Sequence, residues 1–232
     1  MQNNKKSTSQ ICDAPERGDI ARQKLIQAGL KIYSDVGYGN ASTRNIALEA
    51  GVNIAAIPYY FGSKEGLYLA VIDHIIGYYH ERHGTSLATI QQALRNQKTT
   101  PKDCRALLDD YMRKLIHLVV QEGKERSQIS HIYIREQLDP TSAFDRLYEG
   151  FIRGMQETTA ALIGRVIGSH VPSAEAKLIA QTLLGQVTIF KSSRTTVLHK
   201  MGWRHYGEKE LAEIERTVMF NMDALIQAYQ KR

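Results

Sequence analysis

Residues 51–68 read GVNIAAIPYYFGSKEGLY, and this stretch sets the architecture of the N-terminal part of the chain. Asn53 and Ser63 are residue types that open helices, and Gly62 is a residue type that ends them. The helix predicted between them is too short for an ordinary core helix, and its aromatic run Tyr59–Phe61 is too crowded for every ring to face inward. We therefore expect one side of this short helix to contact a partner outside the protein.

The flanking residues predict three more helices. A first helix, capped by Asp19, carries one apolar stripe and ends at Gly37, where a left-handed residue is expected. The stripe consists of Ala21, Leu25, Ala28, Ile32 and Val36. Ser42 opens a short second helix that ends at Gly51, and Ser63 opens a long fourth helix. The tight turn between the second and third helices makes the pair a helix-turn-helix, in which the third helix can project outward.

The remainder of the chain also reads as helices. A polar connection over residues 87–103 leads into a helix that starts near Pro101. Further helical patterns run over residues 127–139, 141–166, 174–198 and 208–230. Because alternating β-type patterns are nearly absent, we predict an all-α fold.

The composition is that of an ordinary globular protein, with 43% hydrophobic and 23% charged residues. The net charge of +6 permits a polyanionic partner without requiring one. Cys12 and Cys104 stand too far apart for a disulfide framework or a metal-binding pair. The sequence has no apolar run of membrane-spanning length and no apolar signal segment at its start. We expect a cytoplasmic protein with no membrane contact, no metal and no cofactor.

Two polar clusters suggest other chemistry and are better explained as surface. The run His80–His83 reads HERH, which is one residue short of the zinc-binding H-E-x-x-H pattern and lacks a third ligand. Its histidines are expected on the exposed side of a helix. The cluster Lys191, Arg194, Lys200 and Arg204 is either a second anion site or a solvated loop, and the loop is favoured. Since the sequence contains no nucleophile elbow or paired carboxylates, we expect no enzyme.

The N-terminal pattern resembles the DNA-binding domain of the TetR family of transcriptional regulators over about residues 19–75. The matching features are Thr43, Ile46–Ala47, Ala50–Gly51–Val52, Ile57, Tyr60–Phe61 and the run Ser63–Leu67. Residues 134–144 and 191–203 are similar to the ligand-sensing domain of the CecR-type branch of that family. The polar composition of residues 1–18 predicts a disordered arm. The resemblance implies a DNA-binding domain over 19–63 and an effector-binding and dimerisation domain over 64–232.

The resemblance implies DNA contacts at the starts of the second, third and fourth helices. The N-terminus of the second helix offers backbone donors and a partial positive charge to a phosphate, and Arg44 can also reach a guanine edge. Apolar residues of the third helix would contact thymine methyl groups, and the polar residues would contact the backbone. The expected DNA-binding residues are Ser42, Thr43, Arg44, Asn53, Ile54, Ala55, Ala56, Tyr59, Tyr60 and Lys64. Core positions are expected at Ile46, Ala47, Ile57 and Phe61, with one of Tyr59 and Tyr60 half buried.

Pro58 departs from the family pattern, which carries Tyr or Thr at this position. Counted from Asn53 as the cap, residue 58 would donate to the carbonyl of Ile54. Proline lacks this donor and clashes with the carbonyl, at a cost of about 3 kcal/mol in a regular helix. It also disfavours helical geometry at Ile57. We therefore expect a kinked or 3₁₀-like recognition segment that makes no contact through position 58.

The resulting prediction is a homodimeric TetR-type repressor that a small-molecule effector releases from a palindromic operator in double-stranded DNA. Two copies must present their heads about 34–36 Å apart, one turn of DNA. By resemblance, the helices over 174–198 and 208–230 pack with their copies as a four-helix bundle. The apolar residues assigned to this bundle are Leu178, Leu183, Leu184, Val187, Phe190, Leu211, Ile214, Val218, Met222 and Leu225.

The helices between about residues 101 and 190 are expected to enclose the effector in a mainly apolar pocket. The sequence does not separate its lining from plain core. The candidates are Tyr111, Leu115, Tyr133, Phe144, Phe151, Met155 and Phe190, with Arg135 or Gln137 as a polar anchor. The helix from Ser63 to about Arg82 would join head and sensor, so that a ligand preferring wider-spaced heads lowers DNA affinity.

Two alternatives from other classes remain open. One is a helical dimeric binding module without specific DNA recognition, and the other is a helical enzyme that keeps a basic head. Salt-dependent binding to the DNA upstream of its own gene separates them from a regulator, because phosphate contacts release counterions.

Overall fold

The computed structural model describes residues 17–121 and 123–231. Within these ranges the regular structure is helical and no strand is present, which confirms the all-α prediction. The N-terminal helices are α1 (Arg17–Asn40), α2 (Thr43–Ala50), α3 (Ala56–Phe61) and α4 (Lys64–Arg95). They are followed by α5 (Pro101–Val120), α6 (Lys124–Leu138), α7 (Phe144–Leu147), a π turn (Tyr148–Ile152), α8 (Arg153–Ile167), α9 (Ser173–Ser192), α10 (Arg194–Met201) and α11 (Glu208–Gln230).

The predicted arm over residues 1–18 lies outside the described residues except for its last two positions, which begin α1. Because α1 starts at Arg17, Asp19 lies in the first helical turn and is not the cap. A carboxylate in the first turn still interacts favourably with the helix dipole. Among the described residues, none of the helices combines the length and the apolar character that crossing a bilayer requires.

The N-terminal head packs α1, α2 and α3 around the first half of α4. Its centre is fully buried and consists of Leu25, Ile46, Ile57, Leu67 and Val71. Ile46, Ala47 and Ile57 are core residues, whereas Phe61 is only partly buried. The domain boundary predicted at residue 63 therefore falls where a shared helix begins, since α4 supplies core to the head and continues into the larger part.

The buried face of α1 is wider than the predicted stripe. Val36 is 42% exposed, whereas Tyr33, outside the stripe, is fully buried and donates from its hydroxyl to the carbonyl of Lys64 at 3.3 Å. The reason is that α1 packs against α2 and α4 and also against α6, so one row of side chains does not cover all its contacts.

Gly37 interrupts α1 with a positive φ of 79°, but its ψ of 167° is not that of the predicted left-handed cap, and the helix resumes after this kink and ends at Asn40. A residue with a side chain would be strained at this φ. A Cβ atom at this position would also lie 3.3 Å from Nη1 of Arg135, a residue of α6. The positive φ therefore favours glycine here, whereas the end of the Arg135 side chain could move aside for a Cβ atom.

α4 is much longer than predicted, because it continues past Arg82 to Arg95. The polar connection expected from residue 87 begins only at Asn96. Leu87 and Ile90 are buried, so apolar side chains hold this second half of α4 in the core of the larger part of the protein. The helix thus runs from the head into the larger part of the protein, where it packs against α5 and α8.

The remaining helices follow the predicted order with one break. Pro101 opens α5 behind Thr100, whose hydroxyl accepts from the Asp103 backbone N–H at 3.2 Å while the Asp103 carboxylate accepts from the Thr100 N–H at 2.9 Å. The helix predicted over 174–198 is interrupted at Ser193, where φ is −113° and ψ is 28°. α9 therefore ends at Ser192, and the separate helix α10 follows.

Candidate DNA-binding head and effector cavity

The start of α2 presents polar groups with no partner in the described protein. Ser42 precedes the helix in an extended conformation, and its side chain makes no capping hydrogen bond. Arg44 is exposed and has no ion-pair partner among the described residues. The hydroxyl of Ser42, the guanidinium of Arg44 and the first N–H groups of α2 are thus available to an anion. Gly51 ends α2 in the left-handed conformation, as the turn requires.

The third helix starts through a 3₁₀-type turn. The Asn53 side-chain oxygen accepts from the N–H of Ala55 at 2.9 Å, and the Asn53 carbonyl accepts from Ala56 at 2.9 Å. The Ile54 carbonyl accepts from the N–H of Ile57 at 3.1 Å. Regular helical geometry begins only at Ala56, so the recognition segment has the expected 3₁₀-like character at its start.

This late start places Pro58 in the first turn of α3, where a missing N–H costs little. The carbonyl of Ile54, which a proline ring would crowd in a regular helix, is occupied by Ile57 instead. Ile57 is helical and 1% exposed, so the expected loss of helical geometry there does not occur. The predicted cost of about 3 kcal/mol applies to a helix interior and is avoided at this position.

The outer side of α3 is apolar and aromatic. Ile54 is 48% exposed and Tyr59 is 80% exposed, whereas Tyr60 is half-buried with its ring 4.8 Å from that of Tyr59. Ala55 is exposed and Ala56 is half-buried. Adjacent exposed apolar and aromatic side chains can mark an interaction site, so this row is a candidate contact surface.

Lys64 begins α4 and is held against the end of α1. Its ammonium group lies 4.7 Å from the centre of the Tyr38 ring and 3.4 Å from the carbonyl oxygen of Gly39. Ser63 caps α4 by accepting from the N–H of Gly66 at 3.0 Å. A half-buried lysine at a helix N-terminus adds positive charge beside the other predicted contacts.

A cavity of about 270 Å³ lies in the larger part of the protein, between α4, α5, α6, α8, α9 and the π turn. Four of the predicted lining residues are there, namely Leu115, Tyr133, Phe151 and Met155, and Gln137 lines it as well. The π turn places the Phe151 ring parallel to that of Tyr79, with 4.4 Å between ring centres and 6° between planes. The cavity therefore has a stacked aromatic wall.

Four other predicted residues do not line the cavity. Tyr111 is fully buried behind His83, and Phe144 stacks on Tyr148 with 6.0 Å between ring centres. Phe190 packs against the core and accepts at its carbonyl from Tyr206 at 2.9 Å. Arg135 turns to the head and donates to the Asp35 carbonyl at 3.1 Å. Aromatic character alone does not separate these residues from the lining, because tertiary packing decides which face is enclosed.

The sequence prediction missed the contribution of α4 to the cavity. Tyr78, Tyr79 and His83 all line it. His83 was expected on the exposed side of the helix but is 1% exposed, whereas His80 is exposed and bonds the Gly150 carbonyl at 2.8 Å. The spacing of Ile75, Tyr79, His83, Leu87 and Ile90 is helical throughout and was the available signal.

His83 and two tyrosines carry buried polar atoms without partners among the described residues. These atoms are both ring nitrogens of His83 and the hydroxyl oxygens of Tyr78 and Tyr111. Burial, assisted by the nearby charge of Arg82, lowers the pKa of His83 from 6.5 to about 4. The imidazole is therefore neutral near pH 7 and offers one donor and one acceptor.

α6 touches both the cavity and the head. Tyr133, Ile134 and Gln137 line the cavity. The buried carboxylate of Glu136, on the same helix, accepts from the hydroxyl of Tyr68 at 2.6 Å. Burial first, and this hydrogen bond second, raise the pKa of Tyr68. One helix thus joins the lining of the cavity to the core of the head.

Most of the apolar residues assigned to a dimer bundle are instead buried within one chain. These are Leu183, Leu184, Val187, Ile214, Val218 and Met222. Phe190, Leu211 and Leu225 pack partly against the same core. The apolar side chains that remain outside are Leu178 at 68%, Ile189 at 45% and Phe220 at 70% exposure. The sequence pattern thus identified the inner face of α9 and α11 but assigned it to a dimer contact. The pattern does not separate the two cases, because residues that face the core and residues that face a partner are both apolar.

Comparisons with known proteins agree with this architecture. The family model for bacterial regulatory proteins of the tetR family matches residues 25–71, and the model for the C-terminal domain of the HTH-type transcriptional dual regulator CecR matches residues 104–229. The chain is 31% identical to the HTH-type transcriptional dual regulator CecR of Shigella flexneri, over 93% of this chain and 96% of that protein. It is 32% identical to the HTH-type transcriptional repressor NicS of Pseudomonas putida, over 34% of this chain and 39% of that protein.

Solved structures share the fold at low sequence identity. A TetR-like transcriptional regulator from Rhodococcus sp. RHA1 superimposes with a TM-score of 0.57 at 19% identity, over 91% of this chain and 99% of that one. AmtR of Mycobacterium smegmatis gives a TM-score of 0.55 at 17% identity, over 94% of this chain and 90% of that one.

Proposed function

This chain belongs to the TetR family of DNA-binding transcriptional regulators and carries the CecR-type C-terminal domain, and we propose that it is a homodimeric repressor that a small molecule releases from a palindromic operator. The observation that carries the proposal is the exposed row on α3, with Ile54 at 48% and Tyr59 at 80% exposure beside a fully packed head.

The head is suited to the major groove of DNA. The side chains on the outer side of α3 contribute methyl groups and rings, and the natural partner of such groups on a base edge is the thymine methyl. Thr43, Arg44 and Lys64 stand at the starts of two flanking helices, where side-chain and backbone donors meet phosphates. We therefore assign base reading to Ile54, Ala55 and Ala56, and positioning to the other predicted DNA-binding residues.

Two heads are required for a specific affinity, and α9 with α11 offers a face for a second copy. Leu178, Thr182, Gly185 and Ile189 are exposed and recur along one side of α9 at spacings of four, three and four. Phe220 is exposed on α11, next to Asn221, which donates to Gln186 of α9 at 3.2 Å. An apolar row with small residues at its centre permits close approach of a symmetric copy.

The cavity supports release by an effector. It is a partly open cavity whose lining combines aromatic and aliphatic side chains with polar ones, and concave sites of this kind bind small molecules. The path from the cavity to the head is short, because α4 and α6 each contribute to both. A ligand that favours one arrangement of α6 changes the head spacing only by as much as it prefers that arrangement.

The proposal is tested by fluorescence anisotropy with labelled DNA from upstream of the gene, titrated at several salt concentrations. We expect tight binding of one palindromic segment by two chains, with affinity falling steeply as salt rises. Equal affinity for unrelated DNA of the same length would support the binding-module alternative, and a single chain per site would contradict the dimeric arrangement.

A further inference from the structure

The cavity contains polar groups that the protein itself leaves unsatisfied. Both ring nitrogens of His83 and the hydroxyl of Tyr78 are buried and have no hydrogen-bond partner among the described residues, and both residues belong to the lining of the cavity. Buried polar groups are nearly always hydrogen-bonded in folded proteins, so unpartnered groups in the lining of a cavity indicate where an occupant can supply a polar group.

An aromatic wall next to His83 can contact a flat ring, since the Phe151 ring lies 6.1 Å from that of His83. Tyr79 and Phe151 stack in parallel there, and the Tyr133 ring lies 6.1 Å from that of Tyr79 in an edge-on arrangement. Aromatic side chains favour ring partners in offset stacks or edge-to-face contacts. An occupant of this cavity therefore combines an aromatic ring with a polar group that meets His83.

The size of the cavity and the charge of its lining further restrict the class of ligand. An apolar cavity of about 150 Å³ is known to hold benzene, so a cavity of about 270 Å³ accommodates one substituted ring or two fused rings. The charged lining residues in the described part of the chain are Arg126 and Lys191, and no carboxylate is among them. A positively charged ligand would meet the guanidinium of Arg126 without a compensating anion from this lining.

From these contacts we propose that the effector is an aromatic compound of one or two rings that carries no positive charge and whose hydroxyl group hydrogen-bonds His83 and Tyr78. This proposal rests on the effector site of the proposed function and names the class of ligand. A hydroxyl group donates and accepts, as do the neutral imidazole and the tyrosine hydroxyl, so the bond forms with either tautomer of His83. The rings occupy the space beside Tyr79 and Phe151.

The test compares three probes of equal ring size by isothermal titration calorimetry at pH 7.5. These are 2-naphthol, naphthalene, and 2-(aminomethyl)naphthalene, which is protonated at this pH. We expect 2-naphthol to bind at least about tenfold more tightly than either of the others, because only it satisfies the buried groups without adding positive charge.

Three variants test which residues cause the preference for 2-naphthol over naphthalene. Tyr78→Phe and His83→Leu each remove polar atoms from the lining and should lower the preference for 2-naphthol over naphthalene to near unity. Tyr111→Phe is the matched control, since it removes an equally buried and unpartnered hydroxyl from a residue that does not line the cavity. That variant should keep the wild-type preference. Thermal unfolding without ligand shows which variants are folded. If His83→Leu does not fold, Tyr78→Phe still tests the proposal.

The outcomes separate the ligand class from the regulatory function. Equal binding of naphthalene, tighter binding of the amine, no binding of 2-naphthol, or a preference that survives both lining variants would each overturn the proposed class. None of these results affects operator binding by the ligand-free protein, which tests the proposed function by itself. Preference for 2-naphthol that is lost with Tyr78→Phe and kept with Tyr111→Phe supports the proposal.

Discussion

The hydroxyl of Tyr68 on α4 donates to the carboxylate of Glu136 on α6 at 2.6 Å, and both residues are buried. The N–H and the hydroxyl of Thr141 also donate hydrogen bonds to the Glu136 carboxylate, at 3.1 Å and 2.9 Å. The Tyr68 ring packs edge-on to Tyr33 of α1, with 4.7 Å between ring centres. The core of the head is thereby tied to the helix that lines the cavity.

Tyr68→Phe should weaken this tie without creating a cavity. We expect the free energy of unfolding to fall by about 1.5 to 3 kcal/mol, the usual effect of removing a hydrogen bond to a charged or strongly polar buried group. Urea denaturation measures the change. Hydrogen exchange should also accelerate in α1 and α6, where the head meets the sensor.

The matched control is Tyr38→Phe, in which the removed hydroxyl belongs to a partly buried tyrosine of the same ring cluster. The phenyl ring keeps the contact with Lys64, and we expect a change below about 0.5 kcal/mol. If the free energy of unfolding falls equally in the two variants, the hydrogen bond from Tyr68 to Glu136 adds no particular stability to the contact between α4 and α6.

The phosphate contact assigned to Arg44 makes a salt-dependent prediction. Arg44→Ala should weaken binding to operator and to unrelated DNA by similar factors, and it should reduce the slope of log affinity against log salt by about one. Lys98→Ala is the control, since Lys98 is an exposed cation in the connection between α4 and α5. An unchanged salt slope for Arg44→Ala would remove this residue from the interface.

Base reading through methyl groups can be tested on the DNA side. Replacing a thymine of the operator half-site by deoxyuridine removes only the methyl group, and each contacted methyl should cost about 0.8 kcal/mol, or about fourfold in affinity. The loss should be smaller with Ile54→Ala protein, because the partner of the methyl is then gone. A half-site in which no thymine responds to this replacement would exclude apolar base reading by α3.

The helix caps explain why the head was predictable from sequence and the cavity was not. Ser63, Gly51 and Gly37 act within a few residues of their own position, so their roles follow from local chemistry. The long reach of α4 was missed because residues 87–95 look polar, although Leu87 and Ile90 are buried.

Long-range packing determined the rest of the site. Tyr79 and Tyr111 are similar residues on neighbouring helices, yet one lines the cavity and the other is plain core. Their difference depends on where α6 and the π turn lie, which no short sequence pattern specifies. The same limit applies to α9, where Leu183 faces the chain's own core and Leu178 faces outward.

The exposed apolar row on α9 and α11 predicts the dimer contact. Phe220→Lys places a charge where a second copy is expected to pack, and the dimer dissociation constant should rise at least about tenfold, as for a central interface residue. Analytical ultracentrifugation measures it. Leu48→Lys is the control, because Leu48 is 80% exposed on α2 in the head. If both variants dimerise like the wild type, the interface lies elsewhere.

His83 predicts a specific loss of stability in mild acid. Its pKa is lowered to about 4 in the folded protein by burial and by Arg82, while about 6.5 is expected for an unfolded chain. Between about pH 4 and pH 6.5 the imidazole binds a proton in the unfolded state but not in the folded state. The free energy of unfolding therefore falls as the pH decreases through this range. The free energy of unfolding carries no penalty from His83 above about pH 6.5 and should be lower by about 2 kcal/mol at pH 4.5.

His83→Leu removes this titration, so the free energy of unfolding of the variant, measured by urea denaturation, should decline less steeply over the same pH range. His80→Leu serves as the control, since His80 is exposed. Parallel pH profiles for His83→Leu and the wild type would mean that the buried imidazole does not oppose protonation.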